Sequence, residues 1–281
     1  MPTCVAIIGA AGKMGTRISA NLAKHDYDLL YSERGEAGCA RLAERGVSNT
    51  DPREAVATAD VAIFAVPDAR MEAVTAELVP VAKPGATVLM LDPAAAAAGV
   101  VAMREDLDYV VCHPCHPALF GEQATDEARR DLFGGVAAVQ DIVIALMQGS
   151  EEAFSRAEVL CCRIFAPVRT AHRITVDQMA LLEPAMAEVV AASAAVLIGE
   201  ALEEAVRRGV PRDAARAFML GHVQVPLAIV LGATDAPFSD AAKIAIEYGR
   251  EHIYRPDWRD VFEPDRVRET IHRMLHPEER E

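Results

Sequence analysis

The chain is short of positive charge. It carries 28 Lys and Arg against 42 Asp and Glu, a formal net charge of −14 over 281 residues. That sign opposes binding to nucleic acid or to an anionic membrane surface. Met1-Pro2-Thr3 supplies no basic segment ahead of the first apolar run, so the start does not read as a secretory signal. No apolar stretch reaches the roughly 18 residues of a bilayer span. Residues 189–198 are apolar, but Glu188 and Glu200 bound them. Paired zinc knuckles are missing too. Cys112-x-x-Cys115 is a single CxxC lying among histidines, and Cys4, Cys161 and Cys162 sit in apolar runs that read as buried, reduced thiols. With 52% hydrophobic residues, the expectation is a packed cytoplasmic protein of two domains, with no nucleic-acid or membrane partner.

What is present begins at the N-terminus. The apolar run 4–8 leads directly into Gly9-Ala10-Ala11-Gly12-Lys13-Met14-Gly15, and a helical pattern follows from Thr16. Strand, glycine-rich turn and helix start in that order place a dinucleotide pyrophosphate on a helix N-terminus. Gly9 suits the tight exit from the strand, Gly12 the close approach of backbone to phosphate, and Gly15 the packing of helix on sheet. The spacing is G-x-x-G-x-x-G, and its position after a strand and before a helix supports the reading. A second strand, 27–32, ends at Glu33. An acidic residue there hydrogen-bonds the ribose hydroxyls and repels a 2′-phosphate, which favours NAD. Ser32 and Arg34 flank it and are types that accept a 2′-phosphate, so NADP stays open.

Strands and helices alternate through the first half. Apolar runs at 61–66, 87–91 and 109–112 end at Val66-Pro67-Asp68, Asp92-Pro93 and His113-Pro114. Runs of this kind with helices between them imply a parallel sheet covered on both faces. Two further strands are expected at 142–147 and 168–174. Beyond them the pattern is helical only, with a stop at Gly209-Val210-Pro211. The fold class is therefore α/β: an N-terminal doubly wound parallel sheet of the Rossmann type, residues 1–174, then an all-helical domain, residues 175–281. The long Ala-rich helix at its start is too apolar to stand alone, which implies a homodimer through the helical domain.

Ligands of open α/β sheets bind beyond the carboxyl ends of the strands. The glycine turn, Val66-Pro67-Asp68, Asp92-Pro93 and His113-Pro114-Cys115-His116-Pro117 all fall there. Prolines on both sides of His116 limit backbone freedom and aim the side chains. His113 or His116 is a candidate general acid/base for a substrate hydroxyl, or a metal ligand. The plainer alternative is a rigid loop in which one histidine caps a strand and the other packs. Glu183 precedes Pro184 within a helical pattern, so it stands beside a kink or merely faces water. His222 lies on an apolar stretch and is either a packed histidine or a residue supplied to a partner's cleft. Arg250 and Arg255 are candidates to clamp a carboxylate.

The glycine turn, the Val66-Pro67-Asp68 strand exit and the helical C-terminal half resemble the 6-phosphogluconate and β-hydroxyacid dehydrogenase superfamily. Within it, His113-Pro-Cys-His-Pro117, Leu182-Glu183-Pro184, Gly221-His222, Tyr248-Gly249-Arg250 and Arg255-Pro256-Asp257-Trp258 resemble the D-apionate oxidoisomerase group. The resemblance covers nearly the whole chain. One departure stands out: residues 175–193 contain no lysine, whereas the 6-phosphogluconate type uses one on the first helix after its nucleotide domain. The resemblance implies NAD-linked oxidation of a small sugar acid, coupled to migration at the neighbouring carbon. It gives His113, His116, Glu183 and His222 catalytic roles, with His116, Glu183 and His222 holding a divalent cation. The alternatives are a plain NAD(P)-dependent hydroxyacid dehydrogenase and a non-catalytic NAD-binding regulator.

Overall fold

The structure, a computed structural model, describes residues 2–279. Its sheet consists of β1 (Thr3–Ile8), β2 (Tyr27–Ser32), β3 (Val61–Phe64), β4 (Thr87–Met90), β5 (Asp108–Pro114), β6 (Gln140–Gln148) and β7 (Val168–Arg173), in spatial order β2-β1-β3-β4-β5-β6-β7. The helices of this part are α1 (Lys13–Leu22), α2 (Glu36–Glu44), α3 (Pro52–Thr58), α4 (Asp68–Leu78), α5 (Ala94–Ala97), α6 (Asp126–Arg130), α7 (Glu151–Ile164) and α8 (Val176–Ala180). The central strands are apolar almost without a break because helices cover both faces. All four residues of β4 are buried, and Val5, Ile7, Ile63, Leu89 and Val110 pack with Ile18 and Leu22 of α1 and Phe154, Leu160 and Ile164 of α7. Each such side chain contributes about 1.5–3 kcal/mol when fully buried.

The chain order of the strands reverses at β1, which lies between β2 and β3. The crevice beyond the carboxyl ends of β1 and β3 is the switch point where ligands settle in such sheets. Five strands, β1 to β5, are mutually parallel, as the sequence implies. β6 runs antiparallel to β5, and β7 pairs parallel with β6, so these last two strands oppose the other five. The segment 115–139 between β5 and β6 holds only the five-residue α6, too little for a full crossover, so the chain folds back.

Two compact units divide the chain. The first runs to Leu182 and takes in the segment from Arg268 onward; the second is Glu183–Val267. Thr175 starts α8 with a reciprocal cap: its hydroxyl accepts from the Gln178 N–H at 3.1 Å, and Gln178 Oε1 accepts from the Thr175 N–H at 3.0 Å. The helix then passes into a π-helical stretch, Leu181–Ala192, that contains Pro184. Proline has no N–H to continue the α ladder, and a widened turn accommodates it. The second unit continues with α9 (Ser193–Arg207), α10 (Arg212–Val230) and α11 (Asp240–His252), and α12 (Pro264–Leu275) follows.

One expectation is corrected here. Val176–Arg207 is a continuous 32-residue helical stretch, long and apolar enough to cross a membrane by length and composition. The helix itself is as expected; what is corrected is the reading that Glu188 and Glu200 keep its apolar part short of a bilayer span. Only 11% of its most apolar window is buried. Val196 and Leu197 on α9, and Phe218, Leu220, Val225 and Val230 on α10, are likewise exposed.

Candidate active site

The turn after β1 has the geometry of a phosphate cradle. Gly9 adopts φ +87°, and its N–H donates to the Ser32 carbonyl at 2.9 Å. A Cβ on Gly15 would lie 2.2 Å from the Gly9 carbonyl oxygen, so only glycine lets α1 start this close to the turn. Gly12 occupies the N-cap position, and no side chain caps α1. Its first N–H groups point out of the turn as donors for an anion. Ala10 and Ala11 are buried beneath it, while Lys13 and Met14 begin the helix.

Glu33 closes the next corner. Its Oε2 accepts from the Ala11 N–H at 2.9 Å, and its own N–H donates to Asn49 Oδ1 at 2.8 Å. The carboxylate is thus fixed against the glycine turn. A cavity of about 570 Å³ opens beside it, lined by Gly9, Glu33, Arg34, Val66, Pro67 and Glu77 among others. Asp68 is the first residue of α4. The expected cofactor residues of β1, β2 and β3 therefore converge at the switch point.

The histidine loop leaves the same end of the sheet. His113 is near the end of β5 and half-buried; its Nδ1 lies 2.8 Å from the Leu91 carbonyl oxygen and 3.8 Å from Asp92 Oδ2. A carbonyl only accepts, so Nδ1 carries the proton and Nε2 carries the lone pair. His116 repeats the arrangement: its Nδ1 lies 2.9 Å from the Phe133 carbonyl oxygen. His116 is exposed and adopts φ +60°, which makes it the single non-glycine residue with positive φ among the described residues. Strain of that kind persists where surrounding structure holds it, and it concentrates at functional sites. The two imidazoles meet edge to face with centroids 6.2 Å apart.

Phe133 itself is tied to α1. The Arg17 guanidinium lies 5.4 Å from its ring centroid, and Asn21 Nδ2 donates to the Gly135 carbonyl at 2.9 Å. Asp131 pins the residues that follow by accepting from the N–H groups of Val136, Ala137 and Ala138 at 2.9–3.1 Å. Burial pushes the Asp131 carboxyl up, but these three donors and nearby Arg17 outweigh it and hold the group below its ordinary value. Cys115 is exposed at residue level; partial burial and the Asp141 charge push its thiol up, so it is not an activated nucleophile. All six cysteines are free thiols.

Sequence reasoning placed Asp92 at the cleft without giving it a role. The signal was available in the pairing of neighbouring strands. Met90 of β4 pairs with Val111 of β5, so Asp92 and His113, each two residues further on, emerge side by side. Their ligand-type atoms lie within 4.8 Å of each other. In the second unit, Glu183 is the first residue and stands immediately before Pro184 in the π-helical stretch. His222 lies on α10, exposed, with Nδ1 2.9 Å from the Phe218 carbonyl oxygen and its ring stacked on Phe218 at 3.7 Å. Arg255 is paired with Asp257 through both Nε and Nη2.

Comparison with known proteins agrees with the fold and with NAD as cofactor. Residues 4–98 match the family described as the NAD binding domain of 6-phosphogluconate dehydrogenase, and residues 121–275 match the phosphogluconate dehydrogenase (decarboxylating) C-terminal family. The chain is 45% identical to a D-apionate oxidoisomerase of Cupriavidus necator, over 96% of this chain and 98% of that one. A D-apionate oxidoisomerase of Blautia hydrogenotrophica is 41% identical, over 98% and 97%. The chain belongs to the D-apionate oxidoisomerase family. It is also similar to a solved structure from Cupriavidus necator, a semialdehyde dehydrogenase NAD-binding protein in complex with calcium and NAD. That similarity has a TM-score of 0.94 at 44% identity, covering 98% of this chain and 100% of that one. This member of the family is thus an NAD-dependent oxidoreductase.

Proposed function

We propose that the protein oxidises D-apionate with NAD and couples the oxidation to an isomerisation of the carbon skeleton. Near-full-length identity of 41–45% to four D-apionate oxidoisomerases supports the substrate class. The observation that carries the chemistry is the pair of histidines beyond β5, each with Nδ1 fixed on a backbone carbonyl and a basic Nε2. Bound NAD supplies the hydride acceptor. The chain supplies the proton path. His116 Nε2 takes the hydroxyl proton as the alcohol carbon gives its hydride to NAD, and releases that proton to solvent; in the shift it takes the proton of the neighbouring hydroxyl, which becomes the new carbonyl, and delivers it to the first oxygen, which becomes a hydroxyl again. The Phe133 carbonyl stabilises the imidazolium formed on the way, because it accepts from Nδ1–H in both charge states.

A divalent cation fits the remaining donors. Asp92 offers a carboxylate oxygen and His113 an imidazole nitrogen, a set that suits a hard or borderline cation when substrate oxygens or water complete it. Asp92 and His113 would hold the ion, whose chemistry there is to polarise adjacent substrate oxygens. Asp92 and His113 thus join His116 at the reaction centre. Glu183 and His222 carry ligand or orienting roles on the sequence reading. Calcium in the similar Cupriavidus necator structure supports metal binding in this family.

The exposed apolar faces of α9 and α10 are covered by a second copy of the chain rather than by lipid. Glu183, Glu188, Glu200, Glu203 and Glu204 would put several acids into a bilayer, at roughly 2.5–3.5 kcal/mol for an acid at its centre. The enzyme works in the cytoplasm, where NAD is available. Reduced-nicotinamide absorbance with D-apionate, beside simple hydroxy acids and aldonates, tests the substrate. Turnover confined to other acids refutes it. Light scattering that finds a monomer in detergent-free buffer refutes the dimer.

A further inference from the structure

Two of the charged side chains lining the 570 Å³ cavity, Arg34 and Glu77, are paired directly with each other. Arg34 follows Glu33 at the end of β2. Glu77 lies in the last turn of α4. The Arg34 guanidinium meets the Glu77 carboxylate as a two-pronged fork: Nη1 donates to Oε2 at 2.7 Å, and Nη2 donates to Oε1. Arg53 Nη1 donates to the Glu77 backbone carbonyl at 3.2 Å and steadies that turn of α4. The planar fork matches a carboxylate in the same way that it matches a phosphate.

We propose that Glu77 is a coenzyme-specificity residue: by occupying Arg34, it denies a 2′-phosphate the guanidinium at the end of β2. Glu33 is the expected determinant at this corner, since its fixed carboxylate repels a 2′-phosphate directly. Glu77 acts differently. An arginine next to that acid is the group that would accommodate NADP, and here it is already spent. The 2′-phosphate, with a charge near −2, would have to take Arg34 from Glu77 and leave that carboxylate unpaired beside it. Two further features favour the paired state. The fork hydrogen bonds hold the Glu77 carboxyl below and the Arg34 guanidinium above their ordinary values, so both stay charged through the neutral range. Asp51 adds negative charge near Arg34. The inference rests on NAD lying at the glycine turn and Glu33.

Calorimetric titration of the full-length protein with NAD and with NADP tests it. The variants are Glu77→Gln, Arg34→Ala and the double substitution. Glu77→Gln should raise the NADP-to-NAD affinity ratio about tenfold, the worth of one charge-assisted hydrogen bond. Adding Arg34→Ala to Glu77→Gln should erase that gain, because Arg34 is the group released. Glu77→Ala should shift the ratio in the same direction. An unchanged ratio in both Glu77 variants overturns the proposal, and so does a gain that survives loss of Arg34. If the wild-type protein binds neither nucleotide, the placement of NAD fails and the inference falls with it. Binding of NAD with an unmoved ratio isolates the failure to Glu77.

Discussion

His116 Nδ1 lies 2.9 Å from the carbonyl oxygen of Phe133, and this bond joins a histidine of positive φ to a loop anchored on α1. Through Phe133 and Arg17, the imidazole is tied to the same α1 that follows the glycine turn, the proposed phosphate cradle. His116→Asn separates backbone from base. Asparagine tolerates the left-handed conformation but cannot carry the proton. Turnover should fall by about 10²–10⁴-fold, with NAD affinity retained. Wild-type turnover in this variant would remove His116 from the proton path.

Asp131 sets the acid limit of that loop. Its folded value is depressed, so its contribution is present above the ordinary carboxylate range and is lost as pH falls through the folded value. At neutral pH, Asp131→Asn should cost about 1–3 kcal/mol through its weakened backbone bonds. The gap in thermal midpoint between wild type and variant should narrow below about pH 4. A gap that stays constant from pH 7 to pH 3 would show that Asp131 plays no ionised role.

Gly15 has no room for a side chain. Gly15→Ala puts a Cβ 2.2 Å from the Gly9 carbonyl oxygen, and the turn must open. Stability should drop by roughly 1–3 kcal/mol, and NAD binding should weaken more than substrate binding. Unchanged NAD affinity in a folded Gly15→Ala protein would contradict the cradle.

Most of the fold was legible in the sequence, and the reasons are physical. Three glycines in phase after an apolar run report a backbone packed against itself. Runs such as 61–66 and 87–91 report strands buried on both faces. The direction of β6 was not legible, because an apolar run has no polarity and the 115–139 segment carries no strong helical pattern. The long helix from Val176 was legible as a helix, but its length as an apolar span was not, because Glu188 and Glu200 read as the bounds of its apolar part. Within the site, the histidines stood out through the prolines around them. Asp92 did not stand out as a partner of His113, because that follows from the pairing of Met90 with Val111. Glu77 lies 43 residues beyond Arg34, and no local pattern connects them.

Metal dependence separates the proposed roles of Asp92 and His113 from a plain dehydrogenase. Treatment with a chelator should abolish isomerisation, and added divalent cation should restore it. In calorimetry, Asp92→Asn should weaken binding of the cation alone by at least about tenfold, the scale of losing a ligand-shell contact. Full activity after exhaustive chelation would exclude the ion from the reaction.

The most direct test of the central claim is product identity. The full-length protein is incubated with NAD and D-apionate, reduced nicotinamide is followed by absorbance, and the organic product is resolved by NMR. The expected result is one reduced nicotinamide per molecule of a skeletally rearranged, oxidised acid. An oxidised acid with the original branched skeleton, or no turnover on D-apionate beside turnover on another hydroxy acid, would contradict it.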